Sequence, residues 1–255
     1  MKRIIALICA VVLAVCCFAG CSQNEGKFVV GFDKAFPPMG FVDDNGNLVG
    51  FDLDLAAEVA KRLNMELVLQ PIDWDSKDME LNSGNISCIW NGFTMEGREN
   101  DYSFTDPYMN NNQIAVVLKD SPVNTFADLQ GKKAAVQKDS SALDALNANE
   151  SLKNALTEIV ETDENLKALM ELEAGAVDCV IMDECVARYN IEKKGGNFKV
   201  LDEVVGKERF GVGFKKDNTE LRDKVQKALE KMAEDGTMAK ISTDWFGKDI
   251  TTLGK

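Results

Sequence analysis

The sequence predicts an α/β fold divided into two similar lobes, and three observations carry that reading. Short apolar runs alternate along the chain with segments whose apolar residues recur at helical spacing. The stretch Gly84-Asn85-Ile86-Ser87-Cys88-Ile89-Trp90 is echoed by Gly175-Ala176-Val177-Asp178-Cys179-Val180-Ile181, and each copy follows a predicted helix and runs into a polar turn. A chain of 255 residues is also more economically arranged as two lobes than as one large sheet. The alternation of strands and helices implies mostly parallel sheets.

Taken in order, Phe28-Val29-Val30-Gly31-Phe32 reads as the first strand. Residues 33–41 read as a loop interrupted by Pro37-Pro38, followed by a turn at Asp43, Asn45, Gly46 and Asn47. Asp52 reads as the N-cap of a helix that places Leu55, Ala56, Val59 and Leu63 on one face. A strand over 66–72 and a short helix over 74–82, stopped near Gly84, lead to an apolar strand over 86–90. That strand breaks at Asn91-Gly92, and Thr94 and Arg98 lie just beyond it. Residues 102–108 read as a loop held by Pro107.

In the second half, strands are expected over 113–118, 133–136, 159–160, 179–182 and 210–214. Thr125-Phe126-Ala127-Asp128 has the pattern of a capping box. Helices are expected from about 142, after Asp163, from Asp183-Glu184 to about 194 with a stop at Gly195-Gly196, over 220–235 and over 238–246. The helix over 220–235 has the clearest stripe, Leu221, Val225, Leu229 and Met232, with Gly236 as its stop.

The first twenty residues read as a leader outside the fold. Lys2 and Arg3 precede an apolar run over 4–18 that suits a secretory signal better than a membrane span. The run ends in Phe18-Ala19-Gly20-Cys21, which resembles the lipobox of bacterial lipoproteins although Phe18 stands where leucine is usual. The resemblance implies lipidation of Cys21 and a short polar tether over 21–26. The other reading is an ordinary signal cut at small residues. Loss of residues 1–20 leaves 27 Lys and Arg against 42 Asp and Glu, a net charge of −15. Such a charge disfavours nucleic acid or an anionic membrane surface as the partner.

Of seven cysteines, Cys9, Cys16 and Cys17 fall in the leader, and Cys88, Cys179 and Cys185 remain besides Cys21. Cys88 and Cys179 read as small buried strand residues, with a Cys179–Cys185 bridge as the alternative. There is no histidine and no pair of cysteines at metal-ligand spacing, so neither a metal nor another cofactor is expected.

Polar groups just past the carboxyl end of a strand are where open α/β sheets hold small ligands. Arg98 there offers a planar fork for a carboxylate. Taken alone, this segment reads better as a solvated arginine beside Glu96, Glu99 and Asp101.

Several patches together resemble one family, the extracellular solute-binding proteins of polar amino-acid ABC transporters. They are Gly31-Phe32-Asp33-Lys34-Ala35-Phe36-Pro37-Pro38-Met39, Gly50-Phe51-Asp52-Leu53-Asp54-Leu55, Trp74-Asp75, and Trp90-Asn91-Gly92-Phe93-Thr94 with Arg98. Further along they are Phe104-Thr105-Asp106-Pro107-Tyr108, Asp128-Leu129-Gln130-Gly131-Lys132, Ser140-Ser141 and Asp183-Glu184. The spacing from Thr94 to Arg98 is one residue shorter than the family's usual pattern.

The resemblance implies a periplasmic-binding-protein-like fold of type II, with two mixed sheets joined by crossover strands near 113–118 and 210–215. Lobe 1 would comprise 27–112 plus 211–255, and lobe 2 would comprise 113–210. It also implies a free amino acid clamped between the lobes. Arg98 would hold the carboxylate with Thr94, Ser140, Ser141 and amides near Gly92, and Asp183 would pair with the ammonium. Phe36 and Trp74 would flank the ligand's side chain. Asp33 would face its distal end, with Gln137 as a further candidate and Trp90 as core or wall. Asp33 could instead cap the Pro37-Pro38 loop, Asp183 could instead cap a helix, and Phe36 could instead be core.

A monomer serving a membrane permease outside the cytoplasm is expected, with a cationic or amide side chain preferred in the ligand. The rival class is a cyclohexadienyl-dehydratase-like enzyme on the same fold, with Asp183 and Glu184 as its carboxylates. The chain has no Gly-x-Ser-x-Gly and no phosphate loop. It has no room for the second domain of a lytic transglycosylase and no second apolar run of spanning length, as a signalling receptor would carry.

Overall fold

Two five-stranded sheets with the same internal plan organise the chain. The computed structural model describes residues 26–193 and 197–255. The leader over 1–20, Cys21 with its tether to 25, and the Gly195-Gly196 stop lie outside them.

The first sheet is built from β1 (Lys27–Phe32), β5 (Glu66–Pro71), β6 (Cys88–Ile89), β7 (Tyr102–Phe104) and β13 (Gly213–Lys215), in the order β5-β1-β6-β13-β7. Its β5, β1 and β6 are parallel, whereas β13 runs antiparallel to both neighbours. The second sheet is built from β8 (Met109–Leu118), β9 (Lys133–Gln137), β10 (Glu158–Thr162), β11 (Cys179–Asp183) and β12 (Phe198–Phe210), in the order β10-β9-β11-β8-β12. Here β10, β9 and β11 are parallel and β8 is antiparallel to both neighbours. The sheets are therefore mixed, not mostly parallel. The sequence echo falls on β6 and β11, each the middle strand of its sheet, with a parallel neighbour on one side and an antiparallel one on the other.

Alternation along the strands buries both faces of each sheet. In the first sheet, Phe28, Val30, Cys88 and Phe214 share a core with α1 (Phe51–Leu63) and α7 (Thr219–Glu234). Val29 and Ile89 on the opposite face pack with Leu81 of α2 (Lys77–Ser83). In the second sheet, Ala135, Val180 and Met182 pack with α5 (Asn165–Glu173) and α6 (Glu184–Lys193). On its other face, Ala134, Val136 and Ile181 pack with α3 (Ser141–Ala148) and α4 (Glu150–Ala155). A last helix, α8 (Thr237–Phe246), packs against α1 and α7. Cys88, Cys179 and Cys185 are all free thiols, so the Cys179–Cys185 alternative is not taken up.

Four local expectations need correction, the first being that residues 102–108 are not all loop, since β7 takes in Tyr102–Phe104. Residues 33–49 are not a plain loop but a small antiparallel sheet of β2 (Ala35–Phe36), β3 (Gly40–Val42) and β4 (Leu48–Val49), turned by Asp43 Oδ1, which accepts from the Asn45 and Asn47 amides. Asp52 does not cap α1. Gly50 occupies the N-cap position, and the Phe51 and Asp52 amides donate to the Pro38 and Met39 carbonyls. Gly50 sits at φ 151°, and a Cβ there would lie 2.2 Å from the Met39 carbonyl oxygen, so only glycine fits. Finally, β12 is thirteen residues long where a strand was expected only from 210. Its pairing with β8 shifts register between Val200 and Val204 and again before Gly206, which erases the period-two signal. The expected capping box at Thr125 and Asp128 is present on a 3₁₀ turn.

Candidate functional site

The loops that leave β6 and β11 meet at a narrow cavity between the two sheets. Only about 10 Å³ of it has room for the centre of a water-sized sphere, so the cavity is all but closed in this structure. Phe36, Trp74, Asn91, Gly92, Thr94 and Arg98 line it from the side of the first sheet. Gln137, Ser140, Ser141 and Asp183 line it from the second. Nine of the ten candidate residues thus come together; Asp33 lies one layer back.

On the first side, β6 delivers Asn91 and Gly92 to the cavity edge. Gly92 has φ 57°, and a Cβ there would lie 3.0 Å from the Phe36 ring and 3.1 Å from the Phe210 ring. Its N–H donates to Asp52 Oδ2 at 2.6 Å, so that amide is spent inside the protein instead of facing a ligand. Tyr108 Oη–H donates to the same oxygen at 2.8 Å. Burial raises the Asp52 pKa to about 7 against these two donors. The indole of Trp90 is close enough to Asp52 to lower that value, yet neither Trp90 Nε1 nor Asp52 Oδ1 has a partner in hydrogen-bond geometry. Trp90 is fully buried beside Phe28 and Tyr108, so it is core and not wall.

Arg98 lies over the Phe93 ring, 5.2 Å from its centroid. Its Nη1 donates to the Thr94 carbonyl at 3.4 Å, and its Nη2 reaches Asp144 of α3 at 3.3 Å. Asp144 is largely exposed, so this long contact leaves the guanidinium fork open to a better partner. Half-buried Trp74 stacks edge-on against Phe93 at 5.8 Å, and Phe36 is buried.

On the second side, Ser140 caps α3: its Oγ accepts from the Leu143 amide at 3.2 Å and donates to the Gln137 carbonyl at 2.6 Å. The positive end of the helix therefore lies at the cavity, where it favours an anion. Gln137 Nε2 donates to Asp33 Oδ2 at 3.0 Å, and Asn165 Nδ2 fixes Gln137 Oε1 at 2.9 Å. Asp33 Oδ1 also accepts from the Ala35 amide at 2.8 Å, so it holds the start of β2 and a cross-sheet contact together. Burial raises the Asp33 pKa above the usual carboxylate value.

Asp183 closes β11, and its Oδ1 accepts from Asn111 Nδ2 and Gln113 Nε2, both at 2.9 Å. Burial and the neighbouring Glu208 push its pKa well up. The Thr94 hydroxyl does not point its proton at the cavity but donates to Glu208 Oε2 at 2.7 Å.

Asn91, Asn111, Gln113 and Glu208 belong to this constellation and were not singled out from the sequence. Asn91 carried a signal as the first polar residue after an apolar strand. The other three become neighbours only through strand register, which sets Asp183 opposite Gln113 and Glu208 opposite Asn111 across β8. Among the described residues no group of His, Cys, Asp and Glu could hold a metal ion.

Known proteins match the chain along nearly all of this architecture. The model of the bacterial extracellular solute-binding proteins, family 3, matches residues 28–248. The L-cystine-binding protein TcyJ of Escherichia coli K12 is 30% identical over 90% of this chain and 86% of its own. A solved ABC uptake transporter substrate-binding protein from Streptococcus pneumoniae with bound histidine superposes with a TM-score of 0.87 at 35% identity, over 89% of this chain and 95% of that one. The arginine-, lysine-, histidine-binding protein ArtJ of Geobacillus stearothermophilus superposes with a TM-score of 0.79 at 32% identity, over 88% and 96%. These relatives are binding proteins, and their shared fold is the two-lobed type II arrangement. The chain belongs to the bacterial extracellular solute-binding proteins, family 3.

Proposed function

We propose that the chain binds a free polar amino acid as a zwitterion between its two sheets and delivers it to a membrane ABC importer. The observation that carries this reading is a small cavity lined by an arginine with an open fork, a buried carboxylate and two aromatic side chains. Burying a zwitterion requires a counter-charge and hydrogen bonds for each of its ends. Arg98, Ser141 and the start of α3 supply them for the carboxylate, and Asp183 for the ammonium. Thr94 assists through its hydroxyl oxygen, while its proton serves Glu208. Phe36 and Trp74 flank the ligand's side chain, and Asp33 acts on its far end through Gln137.

Residues 27–112 with 211–255 form one lobe and residues 113–210 the other, hinged where β8 and β12 carry the chain between the sheets. The ligand favours the closed arrangement by its differential affinity for it, and the importer reads closure. Cationic amino acids, glutamine and cystine fit a site of this charge; binding of histidine, arginine and cystine by relatives supports that range. No turnover accompanies binding.

A thermal-shift panel of the common amino acids and cystine, followed by calorimetry, tests the reading. Saturable 1:1 binding of one of these is expected, with prephenate and arogenate left unchanged. No shift with any amino acid, or consumption of either cyclic acid, would overturn it. Attachment to the membrane through Cys21 is the accompanying proposal, resting on Ala19-Gly20-Cys21. Two acyl chains suffice for stable anchoring. Cys21→Ala should move the protein from the membrane to the soluble fraction; equal membrane retention would refute the anchor.

A further inference from the structure

Two buried acids meet on the far side of Thr94, and the zwitterion reading uses only one of them. Asp183 ends β11 and Glu208 lies on β12, with β8 running between them. Asn111 Nδ2 donates to Asp183 Oδ1 at 2.9 Å and to Glu208 Oε1 at 2.5 Å. Gln113 Nε2 donates to the same two oxygens at 2.9 and 2.8 Å. The two carboxyl groups thus rest on the same pair of amides and face each other. Among the described residues neither forms an ion pair with a lysine or arginine; Arg98, across the cavity, pairs with Asp144.

Two negative charges this close in a dry site repel, and a single bound proton relieves the repulsion. The upward shift of Asp183 has burial as its larger cause and Glu208 as the next. The cluster also holds a spare acceptor. Gln113 is 1% exposed, and its Oε1 has no hydrogen-bond partner although its Nε2 serves both acids. An ammonium group brings three donors and a positive charge, which are what this cluster lacks.

We infer that Glu208 is a positioning residue of the ammonium subsite, that Asp183 beside it holds a proton while the site is empty, and that the ligand's ammonium replaces this proton on binding. This rests on the amino-acid reading proposed above. The pair carries one net negative charge with its proton and two without it. The incoming ammonium restores the sum, the proton leaves to solvent, and no bond within the ligand changes. Thr94 ties Glu208 to the loop that carries Arg98, so the two ends of the site are linked through one hydroxyl. The other titratable groups around the pair are Cys185 and, beyond it, Asp52, both with pKa values raised mainly by burial. Glu184 is turned to Asn112 and Arg188, and Arg209 to Glu96.

Calorimetry of the parent protein with L-arginine, L-histidine or L-cystine, in buffers of different ionisation enthalpy near pH 7, measures the proton count. Release approaching one proton per ligand is expected, with affinity rising toward tenfold per pH unit in that window. Glu208→Gln keeps the size of the side chain and one oxygen for Asn111 and Gln113, and turns its N–H₂ to Thr94 Oγ, which can accept in turn. It should lower the release and flatten the pH profile, because Asp183 then ionises more readily in the empty site. Binding by the parent without proton release from pH 5.5 to 8 would overturn this inference alone, as would an unchanged proton count in a folded Glu208→Gln. Should that variant fail to fold, the parent's proton count decides. Failure of the parent to bind any amino acid would overturn the functional reading and this inference with it.

Discussion

The ends of β6 and β11 occupy equivalent places in their sheets, and each has a buried carboxylate beside it. Their chemistry is opposite. Asp52, under the end of β6, accepts from a backbone amide and a tyrosine hydroxyl, both fixed parts of the fold. Asp183, at the end of β11, lines the cavity, and its Oδ1 accepts from two side-chain amides that it shares with a second acid. Burial raises both pKa values, so burial alone does not mark a binding group. The distinction lies in what the donors are. Asp52 holds the Gly92 turn in its left-handed conformation, while Asp183 is short of positive charge where it lines the cavity.

The strongest way to sharpen the contrast is to remove the charge that faces Asp183 across the cavity. Arg98→Ala should leave the fold nearly as stable, because among the described residues the guanidinium's one carboxylate contact is the long one to exposed Asp144. It should cost roughly 3–5 kcal/mol of ligand affinity, the scale for breaking one half of a buried ion pair. Titration calorimetry beside thermal unfolding separates the two effects. Affinity within a few-fold of the parent's would show that the carboxylate lies elsewhere.

A second test acts on the other member of the pair. Burial raises the Asp52 pKa from an ordinary 3.8 to about 7, so the native state holds its proton more tightly. Stability from this group is then fully present below the unfolded pKa and is lost as pH rises through the folded one. The loss amounts to about 2–3 kcal/mol between pH 5 and 8. Asp52→Asn can still accept from both Gly92 and Tyr108 with its one oxygen in the place of Oδ2. Its denaturation free energy should fall less steeply over that range than the parent's, with ligand affinity changed far less than by Arg98→Ala. Parallel pH profiles for the two proteins would show that Asp52 stays ionised in the core.

Much of this arrangement was legible in the chain because it is local. The apolar strands, the stripe of the helix over 220–235 and the capping box at Thr125 each depend on neighbours a few residues away. The echo between the two middle strands was legible for the same reason. What stayed hidden depends on register. Glu208 sits in a charged segment, Val205-Gly206-Lys207-Glu208-Arg209, where a buried alternate position is itself a glutamate, so no apolar alternation marks it. Asn111 and Gln113 look like one polar run until β8 is laid between β11 and β12. Asp52 carried a local signal that pointed the wrong way, since an aspartate at the head of a helix also fits a cap. The backbone carbonyls of Pro38 and Met39 had already taken that role, which freed the side chain to turn inward.

The smallest expected effect concerns Asp33, a third buried acid that stands between these two cases. Its carboxylate is satisfied by the Ala35 amide and by Gln137 Nε2, as a structural aspartate would be. Yet Gln137 lines the cavity, so the charge lies one side chain away from the space beside Phe36 and Trp74. At that remove, a unit charge in a medium of effective dielectric near 20 contributes about 1–2 kcal/mol toward a cation. It opposes an acidic side chain by a similar amount. An aliphatic ligand would gain nothing from it. Asp33→Asn keeps one oxygen for the Ala35 amide but sets a second N–H₂ against Gln137 Nε2, so some loss of stability accompanies the change. In affinity, the variant should narrow the gap between arginine or lysine and glutamine, while acidic amino acids remain weak ligands of the parent. Competition titrations with the two ligand classes, on parent and variant, read this difference directly. Submicromolar glutamate binding that Asp33→Asn leaves unchanged would place Asp33 with Asp52, as a carboxylate that serves the fold and not the ligand.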